Sequence, residues 1–247
     1  MSKPASPEDS YEKQSALLRN AAAIVPFAVW TGLMTFLPRT AWAYALRTAA
    51  TAVAATVLWR LPRVYGTFGF LRRPGGIPLG VLAGVIVAFL WMVPEMDGFI
   101  PDEAVAFYRK WFAGMPGCGL ETAREPSPYA PSVCGAPLTY AKLAGSALVI
   151  PVVEEVFFRS FLYRWLQGRH FASIPLGKFD FPAFAITVIL FSVEHDRWLA
   201  GAAAGIVYGL CAMRLGLASA ISAHIATNFI IGWTVISSTP FDKWGFW

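Results

Sequence analysis

The sequence predicts an all-α fold, a polytopic transmembrane helix bundle with about seven spans. Of its 247 residues, 56% are hydrophobic and only 14% are charged, whereas soluble domains carry about 25% charged residues. The apolar residues also fall into long stretches, most of them near the ~20 residues that cross a bilayer. The composition therefore excludes a disordered chain, a collagen, a coiled coil and an ordinary soluble enzyme.

Seven apolar stretches are candidate spans. The fifth and sixth are short and are joined only by Asp196-Arg197, so their turn could lie inside the protein rather than in water. The second carries Arg47, which needs a partner or a protein environment at that depth. The stretches cover approximately residues 20–37, 40–59, 78–98, 138–166, 181–195, 198–215 and 217–237.

The basic residues predict the orientation of the bundle. Cytoplasmic loops of membrane proteins carry the excess of Lys and Arg. Here the basic residues lie in the N-terminal tail and in the 60–77 and 164–180 connections, which share one side if every span crosses once. We therefore predict a cytoplasmic tail at 1–19 and a C-terminus outside. No nucleic-acid partner is predicted, because no run of Lys and Arg exceeds two residues.

The 99–137 connection is then predicted to be external, and it contains an amphipathic segment. Residues 102–113 are spaced for a helix that lies in the membrane interface. The apolar face of this helix is predicted to consist of Val105, Tyr108, Trp111 and Phe112.

The three cysteines give no support for redox or structural zinc chemistry, because no CxxC motif is present. Cys118 and Cys134 both lie in the 99–137 connection, and an external compartment permits a disulfide. A disulfide and two free thiols are equally compatible with the sequence. Cys211 lies in an apolar span and is predicted to be part of the core.

Charged residues inside the fourth stretch are the first candidates for a functional site, because ionisable groups are costly in a membrane. Glu155 and Arg159 are four residues apart on a helix, so they can form an ion pair. Glu154 is rotated by about 100° from Glu155, so it can face a cavity while Glu155 is structural. Pro151 removes a backbone hydrogen bond and is expected to open the bundle beside the carboxylates.

Polar residues in the later spans complete the candidate set. His224 and Asn228 are four residues apart and present an imidazole and an amide to one point. Phe191 has the same spacing to His195 and is expected to hold that imidazole by packing. Glu194 is predicted to be a structural partner. A face of small residues in the sixth span predicts close helix packing without chemistry; it consists of Gly201, Gly205 and Gly209.

Together these groups favour hydrolysis of an amide without a covalent intermediate. Glu154 and His195 can share a water that attacks a carbonyl, and His224 with Asn228 can stabilise the oxyanion. No Ser or Cys nucleophile motif and no HExxH motif is present. For His195 and His224 to meet at Glu154, the fifth and sixth spans must be short and must turn within the protein.

The ordered motifs Glu-Glu-x-x-x-Arg, Phe-x-x-x-His and His-x-x-x-Asn, within about residues 140–236, resemble the CPBP family. These are the CAAX proteases and bacteriocin-processing enzymes, also called type II CAAX prenyl endopeptidases or Abi proteins. The composition indicates one membrane domain, 1–247, and the resemblance implies that its catalytic helices lie in 138–237. It implies a glutamate-dependent intramembrane endopeptidase that cleaves near the C-terminus of a membrane-associated or lipid-modified peptide or protein.

The resemblance also implies residue roles. Glu154 would activate the water together with His195, while His224 and Asn228 would bind the oxyanion. Glu155 and Arg159 would support them, and neither a metal nor a cofactor is expected. Residues 194–201 resemble a bacterial subgroup, CAAX prenyl protease-related, found beside exosortase systems, so we expect a bacterial inner membrane.

Other functions stay open at this stage. Glu154, His195 and His224 are also possible zinc ligands, although Asn228 is a poor one. A non-catalytic membrane scaffold or immunity protein would use the same buried groups only to hold helices together. A transporter is a weaker alternative, because no internal repeat and no paired broken helices are found.

Overall fold

The computed structural model describes residues 7–61, 64–69, 73–96, 98–114 and 127–247. Within these residues the protein is an all-α helix bundle, which confirms the predicted fold class. The helices are α1 (Pro7–Phe36), α2 (Ala41–Trp59), α3 (Gly76–Met92), α4 (Asp102–Phe112), α5 (Pro131–Cys134), α6 (Ala136–Ala144), α7 (Ile150–Glu155), α8 (Tyr163–Gln167), α9 (Phe181–Val193), α10 (Trp198–Leu215) and α11 (Leu217–Ser237).

Local sequence signals fix the ends of the long helices. Thr40 caps α2, because its side chain accepts a hydrogen bond from the Ala43 N–H at 3.2 Å. Asp180 caps α9 in the same way, through the Ala183 N–H at 3.0 Å. Gly216 separates α10 from α11 with a φ of 96°, which a glycine adopts without strain. These signals lie within one or two residues of the predicted ends of the second, fifth, sixth and seventh spans.

Five of the described helices are long and apolar enough to cross a membrane. The sixth and seventh predicted spans, 198–215 and 217–237, coincide with two of them. The predicted fifth span, 181–195, corresponds to the shorter apolar helix α9. The five candidate membrane helices are Gln14–Phe36, Ala41–Trp59, Gly76–Glu95, Trp198–Leu215 and Leu217–Ser237.

The predicted fourth span, 138–166, is not one regular α-helix. It is helical throughout, but π-helical turns at Gly145–Val149 and Val156–Leu162 interrupt it on both sides of α7. The first π turn is seen in the hydrogen bond from the Ile150 N–H to the Gly145 carbonyl, five residues earlier. Pro151, predicted to open the bundle beside the carboxylates, is the second residue after this turn. Such π turns are common at functional sites.

Two basic connections, 60–77 and 164–180, are predicted to lie on the same side of the membrane, and their described parts lie at the same end of the bundle. The Arg164 guanidinium donates a hydrogen bond to the Thr67 carbonyl at 2.9 Å, and the Leu217 N–H donates to the Gly69 carbonyl at 3.4 Å. The 64–69 and 164–180 segments therefore share one end of the bundle. Which end faces the cytoplasm stays a prediction.

The opposite end is held by a buried ion cluster. Glu95 is fully buried and forms ion pairs with Arg197 and with Arg109, whose Nε lies 2.8 Å from Glu95. The Gly114 N–H donates to the Asp196 carbonyl at 2.6 Å. At the Asp196-Arg197 turn, Arg197 is only 5% exposed, whereas Asp196 is exposed. The Arg197 side of the turn therefore lies within the protein, as expected, and the Asp196 side does not.

Helix α4 forms where a helix was predicted, but its face packs mainly on protein. Val105 is buried, and Tyr108 and Phe112 are half-buried. The Phe112 ring lies 5.6 Å from the Trp198 ring. Burial and the nearby Glu95 raise the pKa of Tyr108 to about 12. Trp111 is 43% exposed, so the predicted face includes one residue that does not pack with the others.

Part of the 99–137 connection lies outside the described residues, as do the first six residues of the predicted tail 1–19. Cys118 is among the residues not described, so its pairing with Cys134 stays a prediction. Cys211 is buried within the main hydrophobic core, as predicted.

Glycine faces bring two pairs of helices into close contact. On α10, Gly201 and Gly205 lie against α9, which confirms the predicted packing face. A second face of the same spacing, on α3, was missed in the sequence. It consists of Gly76, Gly80 and Gly84 and packs against α11.

Candidate active site

The two adjacent glutamates of α7 have different surroundings. Glu155 is fully buried, and its Oε2 lies 3.3 Å from the Arg159 Nε. Its Oε1 lies 3.1 Å from Nδ1 of His224. The predicted ion pair between Glu155 and Arg159 is therefore confirmed. The pair also reaches a histidine on another helix, which links α7 to α11.

Arg159 is held between α9 and α10. Its guanidinium carbon lies 4.2 Å from the centre of the Phe191 ring. One nitrogen donates to the Gly205 carbonyl at 3.4 Å. Because a buried charge is costly without compensation, these contacts and Glu155 explain how a guanidinium is accommodated in the bundle.

Glu154 is 5% exposed and presents a carboxylate oxygen that lacks a partner. Its Oε2 is buried without a hydrogen bond and lies 3.8 Å from the His224 Nε2. A buried polar atom without a partner costs free energy, so its presence calls for an explanation such as a ligand or water. The side chain of Glu154 thus differs from that of Glu155, as their rotation on the helix predicts.

His224 lies between both glutamates and is fixed by two rings. The Tyr208 ring stacks on it at 4.7 Å with an interplanar angle of 24°, and the Phe191 ring lies at 5.8 Å. When Glu155 is ionised it can only accept, so Nδ1 carries a proton. Nε2 then faces Glu154, either with a lone pair or, in the imidazolium, with a second proton.

The backbone of α9 determines the tautomer of His195. Its Nδ1 lies 2.7 Å from the Phe191 carbonyl oxygen. A carbonyl only accepts, so the Nδ1–H donates, and Nε2 of the neutral ring has a free lone pair. The Phe191 ring also lies 4.6 Å from the His195 ring, as the spacing predicts. The structure therefore aims the basic nitrogen of His195 away from its own helix.

His195 and Glu154 form neither a hydrogen bond nor an ion pair with each other among the contacts of the described residues. Phe191 lies between the two imidazoles, because its ring contacts both His195 and His224. The site thus brings four side chains within 3.8 Å of at least one other member: Glu154, Glu155, Arg159 and His224. His195 joins them only through the ring of Phe191.

Asn228 contacts the irregular helix that carries the glutamates. Its Nδ2 donates to the Ser146 carbonyl oxygen at 2.8 Å. An amide nitrogen has two N–H groups, so one remains for a second acceptor. Asn228 and His224 share a face of α11 by their spacing, which directs this second N–H and the imidazole to the same region.

Glu194 lies close to the catalytic candidates but is not tied to them by hydrogen bonds. It interacts electrostatically with Glu154, and its Oε2 is buried without a hydrogen-bond partner. Its predicted role as a structural partner therefore stays a prediction.

Sequence reasoning missed three supporting residues. Tyr208 stacks on His224, Trp91 packs against His195 at 5.4 Å, and Ser146 accepts from Asn228. Tyr208 and Trp91 look like ordinary apolar core residues in the sequence. Ser146 acts through its backbone carbonyl, which carries no signal in a side-chain pattern.

The described residues include no group of three His, Cys, Asp or Glu side chains arranged to hold a metal ion. In both histidines Nδ1 is bonded, to a backbone carbonyl in His195 and to Glu155 in His224, so Nε2 is the nitrogen left for another partner. Of the two, Nε2 of His224 lies 3.8 Å from Glu154.

Comparison with known families identifies the same part of the chain. Residues 136–230 match the model of the family described as Rce1-like, Type II CAAX prenyl endopeptidase Rce1-like. The match confirms the resemblance over this segment, which contains all the candidate site residues. No curated protein and no solved structure matches the chain. The exosortase-associated subgroup stays a prediction.

Proposed function

We propose that this chain, which matches the Rce1-like type II CAAX prenyl endopeptidase family over residues 136–230, is a glutamate-dependent intramembrane endopeptidase. It hydrolyses a peptide bond near the C-terminus of a membrane-associated or lipid-modified substrate. One observation carries this proposal. Inside an integral membrane protein, Glu154 keeps a buried, unpartnered carboxylate oxygen 3.8 Å from an imidazole nitrogen.

The first step is activation of a water by Glu154 and His195. The unpartnered oxygen of Glu154 accepts a proton from the water. The lone pair on Nε2 of His195, left free because Nδ1–H donates to the Phe191 carbonyl, accepts a hydrogen bond from the other O–H group and orients the water. The oxygen of the water then forms a bond to the carbonyl carbon of the substrate.

The second requirement is stabilisation of the resulting oxyanion. Asn228 supplies one N–H, because its other N–H is occupied by Ser146. His224 supplies a second donor through Nε2 when the ring is an imidazolium. Glu155 favours this protonated ring, since its carboxylate accepts the Nδ1–H at 3.1 Å. Donors fixed before the reaction act strongly in a site that excludes water.

The intermediate then collapses, and the proton returns. The C–N bond of the substrate breaks, and the electron pair goes to the leaving nitrogen. Glu154 gives this nitrogen the proton that it took from the water. The carbonyl forms again as part of a new carboxylic acid, which loses the second proton of the water to solvent, and Glu154 is regenerated. Arg159 takes no proton in this scheme; it holds Glu155 in place.

The experiment uses the purified full-length protein in detergent. The probe is a farnesylated peptide with three residues after its modified cysteine, because prenylated CAAX peptides are the substrates after which the matched family is named. We expect the native protein to cleave it after the cysteine and Glu154→Ala to have no activity, while Glu103→Ala, an exposed acid on α4, stays active. Full activity of Glu154→Ala would exclude the proposal.

A chelator arm separates this mechanism from a zinc metalloprotease. The proposal expects equal cleavage rates with and without the chelator. Loss of activity that returns with added zinc would instead favour a metal-dependent reaction. The non-catalytic scaffold predicts no cleavage by any form of the protein.

A further inference from the structure

Two cations on the helices next to the Asn228 amide form no ion pair with a described carboxylate. Arg47 on α2 is only 9% exposed, and its Nε is buried without a hydrogen bond. Lys142 on α6 forms no ion pair with any described carboxylate, and neither does Arg47. Both lie over the Tyr44 ring, at 4.7 Å for Arg47 and 4.1 Å for Lys142. Two positive charges are thus concentrated at one aromatic side chain.

Further aromatic rings enclose these cations. The Trp30 ring lies 4.4 Å from the Arg47 guanidinium, and the Tyr129 and Trp247 rings lie 5.0 and 5.4 Å from the Lys142 nitrogen. Such contacts offset part of the cost of removing a cation from water, but they supply no negative charge. The cationic box, as we name it, consists of Arg47, Lys142, Trp30, Tyr44, Tyr129 and Trp247.

The one carboxylate that acts on Lys142 is already occupied. Asp242 interacts electrostatically with Lys142. Its two oxygens, however, accept hydrogen bonds from the backbone N–H groups of Phe246 and Trp247, at 2.7 and 3.0 Å. Arg47 and Lys142 together carry two positive charges against the one negative charge of Asp242, so the cationic box has an excess of positive charge, which suits an anionic group.

The position of the cationic box relates it to the proposed reaction. Lys142 lies four residues before Ser146, which is about 6 Å along a helix. Ser146 in turn accepts the hydrogen bond from Asn228. An extended peptide advances about 3.3 Å per residue. A carboxylate two or three residues beyond a carbonyl held at Asn228 can therefore reach the cationic box.

We propose that the cationic box binds the C-terminal carboxylate of the substrate, two or three residues beyond the cleaved bond. This inference rests on the proposed function, and it makes a free C-terminus a condition for efficient cleavage. A lipid headgroup phosphate is also an anion. The peptide is favoured because Arg47 is enclosed by rings within the bundle and because Ser146, whose carbonyl accepts from Asn228, follows Lys142 by about one helical turn.

The test measures binding without turnover, so that it is independent of catalysis. The full-length Glu154→Gln protein in detergent is titrated calorimetrically with the farnesylated peptide, made either with a free C-terminal carboxylate or as the carboxamide. We expect the carboxylate form to bind about tenfold more tightly, as one charge-assisted contact provides. With Lys142→Met or Arg47→Met added to Glu154→Gln, the dissociation constants of the carboxylate and carboxamide peptides should become nearly equal.

The control is Lys110→Met, which removes an exposed lysine that also lies over a tryptophan ring, at 5.5 Å. It should leave the ratio of the two dissociation constants unchanged. Should Lys142→Met fail to fold, Lys142→Gln serves as the second variant. The comparison of the two peptides on the Glu154→Gln protein needs neither variant.

Three results would overturn the inference. The first is equal affinity for the two peptides, and the second is a preference that survives loss of both cations. The third is an equal weakening of both peptides by Lys142→Met, which indicates a structural role. If the peptides bind equally and the protein retains phosphatidylglycerol that Lys142→Met loses, a lipid headgroup occupies the cationic box. Failure of the native protein to cleave the peptide would concern the proposed function alone.

Discussion

The Asn228 side chain donates a hydrogen bond to the Ser146 carbonyl, 82 residues earlier in the chain, at 2.8 Å. In the π turn that begins at Gly145, hydrogen bonds run from each N–H to the carbonyl five residues before. The residue five positions after Ser146 is Pro151, which has no N–H. The Ser146 carbonyl is therefore left for Asn228. A proline near the glutamates thus orients the amide assigned to the oxyanion.

Pro151→Ala should lower activity without lowering stability. The alanine N–H can bond to the helix again, so it competes with Asn228 for the Ser146 carbonyl. We expect a free energy of unfolding equal to or above that of the native protein, but a kcat lowered about tenfold. Urea unfolding and peptide cleavage measure the two effects. Pro78→Ala, in the first turn of α3 where no bond is lost, should change neither.

Asn228→Ala should lower kcat by about 10²- to 10³-fold, the usual cost of one oxyanion donor. The KM should change little, because the donor acts mainly on the transition state. Steady-state cleavage kinetics distinguish the two parameters. A variant that keeps its kcat while its KM rises would contradict the assignment and place Asn228 in ground-state binding.

Arg159→Met should destabilise the protein by about 3–5 kcal/mol, because it leaves the fully buried Glu155 without its cation. The double variant Glu155→Leu with Arg159→Met should recover most of this stability, yet stay inactive, since His224 loses its acceptor for Nδ1. Chemical unfolding and cleavage assays give both readouts. Arg73→Met removes an exposed arginine and should have no effect on either.

Gly201→Ala should impair catalysis without preventing folding. A methyl group at Gly201 would lie 3.2 Å from the Ser192 carbonyl and 3.3 Å from the His195 Cβ, so the His195 turn must shift by a few tenths of an ångström. Because even a small displacement of a catalytic group lowers the reaction rate, we expect kcat to fall several-fold. Gly205→Ala, whose methyl group meets only ordinary contacts, should stay near native. Equal kcat values for both variants would argue against a positioning role for Gly201.

Arg197→Met should cost about 3–5 kcal/mol of unfolding free energy, because it removes the buried partner of Glu95. Arg109→Met breaks the second ion pair of Glu95, but the Arg109 side chain is 43% exposed. Its loss should cost about 1 kcal/mol or less. Thermal or chemical unfolding of the two variants gives the comparison, and equal losses would show that burial does not set the strength of this cluster.

Much of the architecture could be predicted because membrane helices leave strong signals. The apolar stretches and the caps at Thr40 and Asp180 fix most helix boundaries. The spacing of Glu155 and Arg159 predicts their ion pair, and that of Phe191 and His195 predicts their ring contact. Both contacts follow from a spacing of four residues on a helix, which can be read directly from the sequence.

The parts that could not be predicted depend on contacts between distant segments. The bond of Asn228 to a backbone carbonyl and the stacking of Tyr208 on His224 need the relative depth of two helices. The same holds for the ion cluster of Glu95 and Arg197, which are 102 residues apart. The π turns could not be predicted from helical periodicity either, because each one changes the spacing of residues along a helix face.

The central claim is that Glu154 activates the attacking water. The most direct measurement is the single-turnover cleavage rate of Glu154→Gln on the farnesylated peptide, with its dissociation constant measured in parallel. Glutamine keeps the size of the side chain but cannot take the proton. We expect an unchanged dissociation constant and a rate lowered by about 10²- to 10⁴-fold. A native rate in Glu154→Gln would contradict the claim.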